Sequence, residues 1–289
     1  MTWVCSRGKD RHSRWLVTYN TGLGRARLAM LGGDARLLQR GRVSSHRRIT
    51  VRDGTRIDLW IIHPHARQPA RGTVLLVHGL WDSKALMLPI GERLARMGYH
   101  VVLPDLRSHG RSGGQYVTFG GLETTDLREV MDQLLRSGEV TGPLYVEGFS
   151  MGGGIAVQYA AADPRCQGVA ALAPVASARL ILHRVLRLAA PFCPEKTFRA
   201  SLARAGELAG FAPDRASAID AAGRLRCPLI VVHGRMDLTV PYAHGVKVYH
   251  AATVAKEMIT VPWAGHKSLL RARSGFNARL IEKLAEMEA

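Results

Sequence analysis

Eight short strand-like runs, most of them separated by stretches long enough for a helix, limit what this chain can fold into. The first two, at 47–52 and 57–62, are joined at Asp53-Gly54, a dipeptide suited to a hairpin turn. The other six fall at about 73–78, 100–104, 143–147, 168–173, 228–233 and 258–262. They are rich in Val, Ile and Leu without polar alternation, as strands buried on both faces should be. This rhythm predicts an α/β fold, a mostly parallel central sheet with helices on both faces. Ligands of such sheets bind beyond the carboxyl ends of the strands, so chemistry is expected just after each run.

After the third of these six runs stands Gly148-Phe149-Ser150-Met151-Gly152, followed by the helix-like stretch Gly153 to Ala160. A small-x-Ser-x-small pentapeptide between strand and helix is the sequence form of a nucleophile elbow. The tight turn projects the serine hydroxyl into the open. Gly148 and Gly152 stand where a side chain would collide with neighbouring elements. The turn also sets the Met151 backbone N–H at a helix N-terminus, where it can donate to a developing oxyanion.

Such a serine needs a base and an acid, and both follow at strand ends. Asp237 lies downstream of the run Leu229 to Val232, and His266 follows Met258 to Pro262 in Trp263-Ala264-Gly265-His266. The order Ser, Asp, His differs from those of chymotrypsin and subtilisin. A further piece is the turn His78-Gly79-Leu80-Trp81 after the run Val74 to Val77. His-Gly at a strand end permits a sharp turn that aims the Leu80 N–H at the same space as that of Met151, making a two-donor oxyanion hole. His78 is read as a structural residue holding that loop.

With these residues the chain resembles the α/β-hydrolase superfamily, and within it the serine aminopeptidase S33 and monoacylglycerol-lipase-like branch, over roughly residues 47–285. Pro104-Asp105-Leu106-Arg107-Ser108-His109-Gly110-Arg111-Ser112-Gly113-Gly114 is similar to the family's D-x-R-G-H-G-x-S-x-G segment, with Ser108 at the usual glycine. The resemblance implies the α/β-hydrolase fold and a carboxylic ester as substrate, such as a monoacylglycerol or another medium acyl ester. It leaves His109 a structural loop residue.

One interval breaks the alternation. About 50 residues, 176–226, separate two consecutive runs, too many for a single crossover helix, and an inserted helical cap is expected there. Arg179, His183 and Arg187 recur every fourth residue with Arg184 nearby, while Leu180, Ile181, Leu182, Val185, Leu186 and Leu188 fill the other side. That pattern suits a lid touching lipid and equally an amphipathic helix packed on the core. Pro191 and Pro194 should end the helix. Trp81, Met87 and the cap leucines are open to two readings, an acyl pocket or plain core.

The 289-residue chain carries a formal net charge of +17. Residues 1–50 hold eleven Lys or Arg against Asp10 and Asp34, so a basic N-terminal extension over 1–45 is expected before a catalytic domain over 46–289. Aromatic residues make up only 6%, too few to interleave with the basic groups as a nucleic-acid surface requires. Peripheral contact with an anionic membrane is the alternative to a merely solvated extension. Cys5, Cys166, Cys193 and Cys227 have no metal spacing, and neither a metal nor an organic cofactor is expected. Their scatter and the lack of an apolar N-terminal region predict a cytoplasmic protein, peripheral at most to the inner face of the membrane.

The expected activity is therefore a serine hydrolase acting on a small-molecule acyl ester through Ser150, Asp237 and His266. An S33-type aminopeptidase or a thioesterase is the alternative, and a non-catalytic binding protein the alternative of another class. The peptidase needs an acidic cap residue for the substrate amine, for which Glu195 and Glu207 are the candidates.

Overall fold

A computed structural model describes residues 33–65, 69–271 and 274–288. All eight runs are strands: β1 Ser45–Thr50, β2 Arg56–Ile62, β3 Gly72–Val77, β4 Tyr99–Pro104, β5 Leu144–Phe149, β6 Cys166–Leu172, β7 Leu229–Gly234 and β8 Lys256–Val261. They form one sheet in the order β1-β2-β4-β3-β5-β6-β7-β8. β1 and β2 pair antiparallel through the Asp53-Gly54 turn, and β2 is antiparallel to β4. From β4 to β8 every pairing is parallel.

The helices are α1 Gly33–Gln39, α2 Lys84–Arg96, α3 Glu123–Arg136, α4 Met151–Ala162, α5 Ala178–Ala189, α6 Glu195–Ala209, α7 Ala218–Ala222, α8 Tyr242–Ala251, α9 Ser268–Arg271 and α10 Ser274–Glu288. Strands buried on both faces need an apolar layer on each side, and the helices supply it. Leu127 and Val130 of α3, Ile155 of α4 and Val248 of α8 pack on one face; Leu88 and Leu94 of α2 and Leu280, Ile281 and Leu284 of α10 pack on the other. This is the α/β-hydrolase fold. The parallel strands set the ends of β3, β5, β7 and β8 along one edge, where the four expected loops converge.

Of the expected N-terminal extension, residues 1–32 lie outside the described residues. The rest is packed on the domain: Leu37 and Val43 are buried, and Asp34 accepts a 2.7 Å hydrogen bond from Trp60 Nε1 and pairs with Arg111. The packed domain thus takes in residues from 33 on, rather than from 46. Charge counting hides this because Leu37 and Val43 stand in a stretch whose arginines dominate its composition.

The 176–226 interval holds three helices, α5, α6 and α7. Ser177 caps α5 by accepting from the Leu180 N–H, and the helix ends at Ala189, before Pro191 and Pro194. Ile181, Leu182 and Leu186 are buried against the core, while Leu180 and Leu188 are exposed. Met87 is fully buried in the α2 layer, which makes it core and not pocket lining.

Candidate active site

Ser150 stands between the end of β5 and the start of α4 with φ 59° and ψ −120°. A non-glycine residue held there costs about 1–3 kcal/mol and persists only where its surroundings fix it. They do so through the backbone. The Ser150 N–H donates to Leu172 O at 2.8 Å, and its carbonyl accepts from Gly154 at 3.2 Å and Val175 at 3.1 Å. The flanking glycines explain the pentapeptide: a Cβ at Gly148 would lie 2.1 Å from Gly152 O, and one at Gly152 would lie 2.3 Å from Val77 O and 2.4 Å from His78 O. No side chain fits either gap.

The three expected polar groups meet in one line. Ser150 Oγ is 2.9 Å from His266 Nε2, and His266 Nδ1 is 2.6 Å from Asp237 Oδ2. Asp237 is buried three residues past β7, and its other oxygen accepts the N–H groups of Thr239 and Val240, both at 2.9 Å. Burial pushes its carboxyl up, but His233 and His266 beside it and the Val240 N–H outweigh burial and hold it well below the usual carboxylate range. An ionised Asp237 accepts a hydrogen bond from Nδ1–H, so the imidazole presents Nε2 as an acceptor to the serine hydroxyl. Phe149 lies against the imidazole, ring centroids 4.7 Å apart.

Met151 follows the serine as the first residue of α4. Gly79 lies against it, since a Cβ there would stand 3.2 Å from Ser150 Cβ, and this sets Leu80 one residue away. His78 is wholly buried; its Nδ1 donates to Gly79 O at 2.8 Å and its Nε2 accepts the Leu106 N–H at 3.0 Å. Both ring nitrogens are used within the loop, and burial with the neighbouring His109 drives its pKa well down. His109 is also buried, with Nδ1 donating to Arg107 O at 2.9 Å. Ser108 has φ 63°, in the left-handed region that favours glycine.

Beneath the His78 loop lies a charged group that the sequence did not disclose. Lys84, the first residue of α2, is buried with Nζ 2.5 Å from both Asp58 and Asp105, and Asp105 also accepts the Lys84 N–H at 2.8 Å. His46 and Arg48 complete the Asp58 shell at 2.8 and 2.9 Å. A lysine in an amphipathic helix normally reads as solvated, and only the fold brings two carboxylates to it. Paired on both sides, it ties the start of α2 to the loop after β4, and so anchors the Leu80 turn.

His233 and His244 also escaped the sequence reading. His233 Nε2 donates to Val240 O at 2.9 Å and stands 3.6 Å from Asp237, bracing the acid loop from behind. His244 on α8 accepts the Ala176 N–H at 3.1 Å, which holds the start of the cap. Burial first, then the charges of His233, Arg184 and Lys247, lower its pKa to about 4. The unfolded chain binds this proton below about 6.5 and the native protein only near 4. Stability from His244 is therefore complete above pH 6.5 and lost as pH falls towards 4, by an amount of order 3 kcal/mol. His244→Gln keeps an acceptor without titrating, so its melting temperature should fall less than that of the wild type between pH 6.5 and 4. Equal slopes would contradict this assignment.

Among the described residues no group of three His, Cys, Asp or Glu side chains is placed to hold a metal ion. A groove of about 780 Å³ on the cap, lined by Arg179, Arg199, Phe211, Pro213 and Asp214 among others, includes none of the three aligned side chains.

Residues 68–207 match the family described as serine aminopeptidase, S33. A monoacylglycerol lipase of Mycolicibacterium smegmatis is 30% identical over 210 residues, which span 60% of this chain and 72% of the relative. The chain belongs to this family of α/β-hydrolases. Solved structures agree on the fold. An esterase of Pyrococcus furiosus superposes with a TM-score of 0.69 at 22% identity, covering 87% of this chain and 96% of its own. Est1E of Butyrivibrio proteoclasticus, solved with ferulic acid, gives 0.63 at 16% identity over 84% and 99%. This α/β-hydrolase thus takes its place among esterase- and lipase-like enzymes.

Proposed function

We propose that this α/β-hydrolase cleaves a carboxylic ester by acyl transfer to Ser150 and then to water. The observation that carries the reading is the unbroken line from Ser150 Oγ through His266 to Asp237, at 2.9 and 2.6 Å. His266 Nε2 takes the hydroxyl proton as Oγ bonds to the ester carbonyl carbon. The Met151 and Leu80 N–H groups hold the oxyanion, each contributing about 3 kcal/mol to the barrier reduction. Collapse breaks the bond to the alkoxy group, which leaves as an alcohol with the proton from His266. Water then gives its proton to His266, attacks the acyl-enzyme and releases the acid as Oγ recovers its hydrogen. Asp237 keeps the imidazole in its reactive tautomer and stabilises the imidazolium.

Similarity to a monoacylglycerol lipase supports an acylglycerol or related acyl ester as the substrate class. The aminopeptidase reading is weakened by the two cap carboxylates that would serve it. Glu195 lies 3.0 Å from His183 and 3.1 Å from Arg199, and Glu207 2.8 Å from Arg204, so both carboxylates are engaged by side chains of the cap. A binding protein would have no use for all three aligned groups. Cys166, Cys193 and Cys227 are buried, and none of them is in a disulfide.

The test is a series of p-nitrophenyl esters from about two to sixteen carbons beside aminoacyl-anilides. Turnover confined to esters, with an optimum in chain length, is the expected result. Turnover of anilides alone would move the assignment to a peptidase, and silence on both would remove the hydrolytic one.

A further inference from the structure

His233, the last residue but one of β7, has no place in the line from Ser150 to Asp237, yet it is wholly buried beside that line. Its Nε2 donates to Val240 O at 2.9 Å and stands 3.6 Å from Asp237 Oδ2, the same oxygen that accepts from His266 Nδ1 at 2.6 Å. One carboxylate oxygen thus has two imidazoles beside it. Val240 completes the arrangement, because its own N–H donates to Asp237 Oδ1 at 2.9 Å. A single residue of the acid loop is therefore held by His233 at its carbonyl and by Asp237 at its amide.

Packing alone does not account for this ring. Its Nδ1 is buried and has no hydrogen-bond partner among the described residues. A buried polar atom left unpaired lowers stability, and an apolar side chain in the same place would avoid that cost. The surroundings are nevertheless shaped to the imidazole. A Cβ at Gly245 on α8 would stand 2.4 Å from His233 Nδ1, so glycine there leaves the space that the ring fills. Tyr242 meets it edge-on, ring centroids 5.7 Å apart, and the Tyr242 hydroxyl is itself tied to Thr260 of β8 at 2.7 Å. The ring is thus confined on two sides, and its one hydrogen bond goes to the loop that carries Asp237.

We propose that His233 is a positioning residue for acyl transfer: through Val240, and from its place beside Oδ2, it keeps the Asp237 carboxylate aimed at His266 Nδ1–H. The proposal rests on the acyl-transfer reading of Ser150 and adds a fourth side chain to it. His233 touches neither the substrate nor a reacting atom. Without its N–H, the buried Val240 carbonyl loses a donor and the loop from Asp237 to Val240 can settle elsewhere. A carboxylate turned away from Nδ1–H no longer fixes the tautomer that leaves Nε2 free for the serine proton. The chemical step then slows, while substrate binding, which uses other groups, does not change.

His233→Leu and His233→Gln, assayed on a short p-nitrophenyl ester with the full chain, test the proposal. Leucine has no donor, whereas the glutamine amide can put an N–H where Nε2 stands. His233→Leu should lower kcat about 10-fold or more with KM within about 2-fold of the wild type, and His233→Gln should recover most of the loss. Gly245→Ala, which keeps the histidine but crowds Nδ1, should lower kcat in the same direction. If His233→Leu does not fold, His233→Asn takes its place with the same expected loss, because its shorter amide reaches only the Nδ1 position. The proton between His266 Nδ1 and Asp237 gives a readout that needs no substrate: its downfield resonance in proton NMR should move or broaden in His233→Leu and return in His233→Gln. Thermal unfolding of each variant measures the cost to the fold separately. A His233→Leu enzyme that melts lower, yet keeps the wild-type kcat per folded molecule and an unmoved resonance, would overturn the proposal and make His233 a packing residue. A wild type that turns over no ester, with the resonance still dependent on His233, would support the hold on Asp237 and remove the acyl-transfer reading instead.

Discussion

Ser150→Ala is expected to lower ester turnover by about 10⁴- to 10⁶-fold, because it removes the atom that bonds to the substrate carbon while leaving the oxyanion donors in place. The cost to the fold should be small. Ser150 Oγ contributes one side-chain hydrogen bond, to His266, worth roughly 0.5–1.5 kcal/mol net. The backbone bonds that hold the turn, to Leu172, Gly154 and Val175, do not involve the side chain. Steady-state rates and thermal unfolding on the same preparation check both halves. A variant that unfolds like the wild type and retains more than a few per cent of its activity would remove Ser150 from the mechanism.

Gly152→Ala is the second large effect, and it acts through space and not through chemistry. Its new methyl would stand 2.3 Å from Val77 O and 2.4 Å from His78 O, distances that no van der Waals contact sustains. These are backbone atoms of β3 and of the turn after it, so no flexible side chain can yield. Either α4 moves away from β3 or the His78 turn shifts, and each displaces an oxyanion donor relative to Ser150. A destabilisation of roughly 3 kcal/mol or more is expected, with turnover falling at least about 100-fold in whatever folds. Gly223→Ala serves as the control, since its methyl would meet Ala251 O at an ordinary 3.5 Å. Equal denaturation midpoints for the two variants would contradict the packing described at the elbow.

Much of this was legible in the sequence for a physical reason. Strands buried on both faces must be apolar throughout, so β3 to β7 announced themselves as runs of Val, Ile and Leu within about two residues of their ends, while the half-buried edge strand β8 was legible from Met258 to Val261. The elbow was legible because its steric demands fall on two fixed positions, Gly148 and Gly152. Asp237 and His266 could be placed because the order of strands leaves few residues just beyond a carboxyl end. What stayed hidden depends on neighbours distant in sequence. Lys84 became a buried ion-pair partner only when Asp58 and Asp105, from two other strands and their loops, came to it. Met87 reads in sequence as pocket lining or as core alike, because apolar residues near a reactive loop and in a core have the same chemistry. The stretch from 33 to 45 passed for an extension because its charge dominates its composition, while the two residues that bury it, Leu37 and Val43, are far apart. Ser108 shows the opposite case. It stands where the resembled segment has glycine, and it takes φ 63° with its N–H donating to Gly113 O at 2.7 Å.

The most direct test of acyl transfer through Ser150 is mass spectrometry of the protein quenched with acid within seconds of mixing with a p-nitrophenyl ester. The account predicts a mass increase of one acyl group, located to the peptide that contains Ser150 and absent from Ser150→Ala. An ester hydrolysed without any acyl adduct in His266→Ala or wild type, or an adduct on another residue with Ser150→Ala still active, would contradict it.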